Sequence, residues 1–390
     1  MIIPKLAVRN LLGAGIRTWL NVIVLSFAFV TIVWTQGLYR GMNRQVVHAT
    51  VEAEYGGGQY WQENYDPLDP LTLEDAHSVI PKSLNSLIKN GQATPILVIQ
   101  GTIYPNRRIQ PVLIKGIDPQ QKILSIPSYF LDTEEEEFPA LIGTRMAKST
   151  GLEVGDEVTI RWRDANGTFD ARDVRIVQIM NTTVQSIDQA QIWIPLNMIQ
   201  TLTQMENEAS LIVVEKNLET IPEVSGWPFK TLHFLHTDIR EMVKSKSSGA
   251  MVMYFILIFL AMLAIFDTQV LSIFRRRKEM GTLMAMGMTR LKIIQLFTLE
   301  GALHGVLAAI VAAAYGIPLL TLFAKNGWAL PDSMDSFGFA IGEKIFPAYS
   351  VGLVIGTTVL VLTITTIVSF LPTRKIAKLE PTDAIRGRMS

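Results

Sequence analysis

The stretch Arg275–Gly305, RRRKEMGTLMAMGMTRLKIIQLFTLEGALHG, decides the architecture. It opens with four consecutive cations where a long apolar segment ends, continues as a short helical run, breaks at Gly287 and enters a second long apolar segment. Such a cationic turn between apolar segments is a cytoplasmic elbow between two membrane spans. Read as a helix, Met280, Leu283, Met284, Met288 and Leu291 form one stripe, whereas Arg277, Lys278 and Thr282 fall elsewhere. An amphipathic segment this short does not fold alone, so it either docks on a partner or lies on the lipid headgroups.

Composition agrees with a mixed protein. Of 390 residues, 49% are hydrophobic and 18% charged, with a formal net charge of zero. That is too apolar for an ordinary soluble domain and too charged for an all-membrane bundle. It also lacks the basic excess that would draw in nucleic acid. There is no cysteine, so any part outside the membrane is held by its core and not by disulfides.

Four segments reach the roughly 20 apolar residues needed to cross a bilayer: 19–40, 249–274, 293–324 and 347–371. The first has too long an apolar run for a cleaved leader and no A-x-A-like site after it, so it reads as an uncleaved anchor. Fourteen cations (Lys5, Arg9, Arg17, Arg275, Arg276, Arg277, Lys278, Arg290, Lys292, Arg374, Lys375, Lys378, Arg386 and Arg388) flank one side of these spans. Only six (Arg40, Arg44, Lys244, Lys246, Lys325 and Lys344) flank the other. The positive-inside rule then places segment 1–18, elbow 275–292 and tail 372–390 in the cytoplasm, with 41–248 and the short loop 325–346 outside. The expected fold is an α-helical membrane protein with four transmembrane helices in 1+3 order, and a large α+β extracytoplasmic domain between the first and second.

That domain begins as a continuation of the first span up to Gly56-Gly57-Gly58, a hinge into a strand at Gln59–Trp61. Runs Ala93–Tyr104 and Gln110–Ile117 read as strands about a Pro105-Asn106-Arg107 turn. Glu134–Glu137 reads as a solvated loop. A helix at Thr144–Ser149, strands Val158–Trp162 and Val174–Ile179, and a hairpin at Asp164–Gly167 follow. Strands Leu211–Glu215 and Phe229–Leu235 return to the first style. The expected layout is a βαβ-rich subdomain from 41–117 and 206–246, with a β subdomain, 118–205, inserted between.

No catalytic machinery is legible. The chain has no G-x-x-x-x-G-K-[ST] phosphate loop and no G-x-S-x-G elbow. His233-x-x-His236 would point its rings to opposite faces of a strand, so no metal site is expected. Three ionisable groups lie in the spans and need a polar partner there. Asp267 reads either as part of a cavity or as a carboxylate neutralised by Arg275 or Arg276. Glu300 and His304 share a helical face.

The run Arg277-Lys278-Glu279-Met280-Gly281-Thr282-Leu283-Met284-Ala285-Met286-Gly287-Met288-Thr289 resembles the elbow of FtsX-like ABC-transporter permeases, which include the lipoprotein-releasing permeases and MacB. Leu141–Val158 is similar to the family's small inserted β subdomain. The tail Leu371–Gly387 resembles its C-terminal motif, with Pro381, Ala384, Ile385 and Arg386 in place. The resemblance implies that Arg277, Lys278, Glu279, Met280, Gly281, Leu283, Met284, Ala285, Gly287, Met288 and Thr289 form a coupling helix on a dimeric ABC ATPase, and that the tail motif lies at the inner surface. It implies a non-enzymatic permease with no cofactor of its own, ATP and Mg being bound by the partner ATPase. It also implies a second permease, self or paralogue, membrane lipid around the spans, an outer soluble carrier or adaptor protein, and the bacterial inner membrane. The function implied is lipoprotein release. Alternatives are MacB-like efflux of peptides or amphiphiles, and a non-transporting FtsX-like regulator of cell-wall hydrolases.

Overall fold

The computed structural model describes residues 2–13, 15–133, 138–182, 184–218, 220–237, 274–329 and 344–376, with scattered positions in 252–271. The chain forms two units, one helical and one α/β.

In the helical unit, three helices among the described residues are long and apolar enough to cross a membrane: Ile16–Thr50, Arg290–Asn326 and Val351–Ile376. The expected span 249–274 falls largely outside the described residues, although its described positions, among them Phe255, Phe259 and Asp267, are helical. Val22, Leu25, Phe29, Val30 and Val33 of the first helix pack with Ala308 and Ala312 of the second and Leu353, Val361 and Val368 of the third. Small residues set the spacing, as is usual where van der Waals packing holds membrane helices together. A Cβ at Gly316 would lie 2.8 Å from Val30, and one at Gly305 would lie 2.7 Å from Thr365.

The strands, in chain order, are β1 (Gln59–Trp61), β2 (Ser78–Val79), β3 (Ala93–Ile103), β4 (Gln110–Ile117), β5 (Pro139–Gly143), β6 (Glu157–Arg163), β7 (Phe169–Met180), β8 (Gln191–Pro195), β9 (Glu208–Ala209), β10 (Leu211–Val214), β11 (Phe229–Lys230), β12 (Trp328–Ala329) and β13 (Lys344–Ile345). All but the last two belong to the α/β unit. The main sheet runs β11-β1-β10-β3-β4-β8-β5-β7-β6, and β6 pairs back onto β3. The strands from β3 to β6 therefore close into a small barrel, and β3 extends beyond it to pair with β10.

Period-two alternation explains how one strand serves two interiors. Leu97, Ile99 and Ile103 of β3 fill the barrel with Val112, Ile114, Ala140, Ile142, Val158, Ile160, Trp162, Ile192 and Ile194. The intervening Ile96 and Val98 face a second core with Leu141, Trp193, Leu211 and Val213. Strands β5 and β8 are buried at every position, which is why they read as unbroken apolar runs rather than alternating ones.

The first helix enters this unit as a π-helical turn, Val51–Tyr55, whose Ala53 is buried in the second core. Glu54 there accepts from Lys115 Nζ at 2.9 Å, with the Lys115 side chain 5% exposed. At the Gly56–Gly58 turn the chain runs against β10: Gly57 N–H donates to Val214 O at 2.7 Å, and a Cβ at Gly57 would stand 2.2 Å from Glu215 O.

Several expectations are corrected. The pairings joining β11, β1, β10 and β3 are all antiparallel, so the described residues of 41–117 and 206–246 hold no βαβ unit. Parallel pairs lie in the barrel, between β4 and β8 and between β5 and β7. The boundary at 117/118 is crossed by the sheet, because β3 and β4 are barrel strands. Phe229–Leu235 is not one strand: β11 ends at Lys230, and residues 232–237 are helical. Thr231 caps that turn, accepting Phe234 N–H on Oγ1 and Leu235 N–H on its carbonyl. His233 and His236 thus sit in a helical segment. Glu134–Glu137 lies outside the described residues.

Leu141 has no exposed surface and lies between β7 and β8 in the second core. Leu141→Ala is expected to destabilise the α/β unit by about 2–5 kcal/mol. Hydrogen exchange of the β5 and β8 amides in the full-length chain would measure it, and protection equal to wild type would contradict this packing.

Candidate functional site

The elbow is a helix, Arg277–Ala285, a tight turn, and the start of helix Arg290–Asn326. The turn is set by three backbone bonds: Met286 N–H to Thr282 O, Gly287 N–H to Met284 O and Met288 N–H to Leu283 O, each 3.0 Å. The last two form the Schellman pattern, in which the residue after the cap takes a left-handed conformation. Gly287 is that residue, with φ +92°. Thr289 takes an extended conformation, and its carbonyl accepts from Ile293 N–H at 3.2 Å to open the next helix.

The turn folds the elbow helix back on its successor, so Met284 and Met288 pack against Ile293 and Phe297. The predicted stripe is therefore not one free face. Leu283 is half-buried and Gly281 buried, while Leu291 is 65% exposed. Met286, off the stripe, is 71% exposed. Lys278, Glu279, Thr282 and Ala285 are exposed, and the side chains of Arg277 and Met280 lie outside the described set.

Arg276, just ahead of the elbow helix, was read from the sequence only as a partner for Asp267. Its Nη1 donates to Glu300 Oε1 and Oε2 at 2.9 Å each, and its Nε to Glu279 Oε2 at 2.8 Å. The guanidinium also lies 4.9 Å from the Phe297 ring centroid. Glu300 is 7% exposed. Burial opposes the charge on Arg276, but the hydrogen bond to Glu279 and the field of Glu300 outweigh it and hold the guanidinium above its ordinary pKa. Removing one member of a buried, hydrogen-bonded ion pair typically costs about 3–5 kcal/mol, because the survivor is left uncompensated.

The other intramembrane candidates separate from one another. His304 Nδ1 bonds to the Glu300 carbonyl, one turn back on its own helix, at 2.9 Å. Asp267 is helical and exposed, and Arg276 is committed to Glu279 and Glu300 rather than to Asp267. Pro381, Ala384, Ile385 and Arg386 lie outside the described residues.

Nothing crowds the position a Cβ would take at Gly287, so Gly287→Ala should cost only the left-handed conformation, about 1–2 kcal/mol. Faster hydrogen exchange at Met288 N–H is the expected sign. A larger loss, with the elbow helix melted, would contradict the turn described.

A family model described as the MacB-like periplasmic core domain matches residues 18–225 of the 390. A second, the FtsX-like permease C-terminal, matches residues 251–381. An uncharacterized ABC transporter permease of Methanocaldococcus jannaschii is 30% identical over 125 residues, a stretch making up 31% of this chain and 28% of that protein. Among solved structures, the extracellular domain of the noncanonic ABC-type transporter YknZ from Gram-positive bacteria is similar at 17% identity, covering 42% of this chain and 83% of that one with a TM-score of 0.26. A likeness at that score says nothing further about the fold. The core-domain match alone spans more than half of the chain, and the C-terminal match takes in the elbow: the chain belongs to the FtsX-like family of ABC transporter permeases with a MacB-like core domain.

Proposed function

We propose that this chain is the permease subunit of a lipoprotein-releasing ABC machine in the bacterial inner membrane. A separate, dimeric ATPase binds ATP and Mg and pushes on the elbow 275–292, and the motion is delivered to an extracytoplasmic α/β domain. The observation that carries this reading is the elbow itself. It offers two exposed apolar side chains, Met286 and Leu291, on a turn braced by backbone bonds and a buried ion pair. A fixed element with an apolar tip is what a groove on a partner subunit can grip. The cation asymmetry supports both termini inside, with 249–274 as the second of four spans and the tail motif at the inner surface. A second permease, self or paralogue, would complete the membrane part.

The outer hairpin bears on a soluble carrier. Asp164 Oδ1 accepts from Asn166 N–H at 2.9 Å and Thr168 N–H at 2.7 Å, and Arg161 lies 4.3 Å over the Phe169 ring. A closed hairpin of this kind supports capture of any carrier or adaptor by the partner permease rather than here. MacB-like efflux of peptides or amphiphiles is the second reading, favoured by the core-domain match over 18–225.

Because the chain has no native cysteine, topology is directly testable. Asn166→Cys should react with an impermeant thiol reagent from outside, and Thr282→Cys only once the inner face is opened; the reverse pattern would end the proposal. For coupling, Met286→Asp and Leu291→Asp should each weaken ATPase binding roughly tenfold to a hundredfold, read as reduced co-purification, given the ~1.5–3 kcal/mol of a buried apolar side chain. Undiminished recovery would instead favour an elbow lying on lipid.

A further inference from the structure

We propose that Arg276 is the positioning residue of the elbow, a two-way brace that fixes the angle between helix Arg277–Ala285 and helix Arg290–Asn326. The inference deepens the coupling reading above and rests on it. One guanidinium holds the first turn of the elbow helix through Glu279 and the following helix through Glu300, all at 2.8–2.9 Å. Its third support is the Phe297 ring, which itself packs under Met284 and Met288. The elbow helix is thus fastened at both ends: by the Schellman turn at its C-terminus and by Arg276 at its N-terminus. The turn alone leaves a hinge. With the brace in place, a push on Met286, at the end of the elbow helix, moves helix Arg290–Asn326 with it instead of bending the turn.

The chemistry demands arginine. Bonding two carboxylates from separate edges while lying against a ring requires a planar fork with several donors, which a lysine ammonium cannot supply. The two arms differ in exposure: Glu300 is 7% exposed and Arg276 21%, whereas Glu279 is 62% exposed, so salt should weaken the Glu279 arm first.

The test uses the full-length chain in lipid nanodiscs with spin labels on Thr282→Cys and Ile310→Cys, both exposed positions in a chain without other thiols. The distance distribution between the labels reports the angle of the elbow. Arg276→Gln and Glu300→Gln are each expected to broaden it by about twofold, as a helix freed of one anchor samples further orientations. Arg276→Lys, which keeps the cation and guards against loss of folding, should give an intermediate width. Arg276→Leu with Glu300→Leu, which leaves no stranded charge, should stay as broad as the single changes. Unchanged widths, or a double variant as narrow as the wild type, would overturn the proposal. In complexes co-purified with the ATPase, Arg276→Gln should lower permease-coupled ATP turnover about tenfold, with the KM for ATP unmoved. Broadened widths with turnover unaffected would uphold Arg276 as the brace and overturn the coupling reading.

Discussion

A carboxylate buried beside apolar helices must have a partner, and that requirement organises the elbow. Glu300 sits one turn before His304 on a helix otherwise rich in leucine and alanine. An isolated charge there would neutralise itself or draw in water. Arg276 removes the problem, and in doing so it ties the elbow helix to the helix that follows the turn. The backbone bonds of the turn fix the other end of the same short helix, where Met284 and Met288 pack onto Phe297 and Met286 is exposed.

Much of this was legible in the sequence, and the reasons for success and failure are physical. Gly287 was readable as a breaker, because glycine alone adopts a left-handed cap without cost. The cations marked the elbow because topology depends on them. The stripe was read as a docking face, but periodicity says only which residues share a side, not what covers it. Here the chain's own next helix covers Met284 and Met288; Leu291 of the stripe stays exposed, beside Met286, which no stripe predicts. Arg276 was one of four adjacent cations. Its role appears only once the chain has turned back and brought Glu300 within reach.

The α/β unit shows the same division. Strands with one wet face, such as β6 with Val158, Ile160 and Trp162 inward, announce themselves by alternation. The first five residues of β7 are exposed, so nothing in their hydropathy marks them as strand, and pairing with β6 alone extends it. Nor can hydropathy distinguish parallel from antiparallel neighbours, hence the βαβ expectation where the pairings are antiparallel. The Phe229–Leu235 segment failed for a third reason: a threonine cap competes with strand continuation and wins locally.

Strand β3 has a consequence for how such a domain can change over time. It lends alternate side chains to two interiors and pairs with β4, β6 and β10. The barrel is therefore not a cassette that could be exchanged between relatives by swapping residues 118–205. A graft carrying that stretch alone would bring a foreign β6 against β3 and a foreign β8 against β4, and a one-residue slip of β3 would turn Leu97 and Ile99 out of one interior and Ile96 and Val98 out of the other. Variation is cheaper where only one interior is at stake, at the tip of the β6–β7 hairpin, so diversity in what these domains meet should accumulate in loops while the shared strand holds its length.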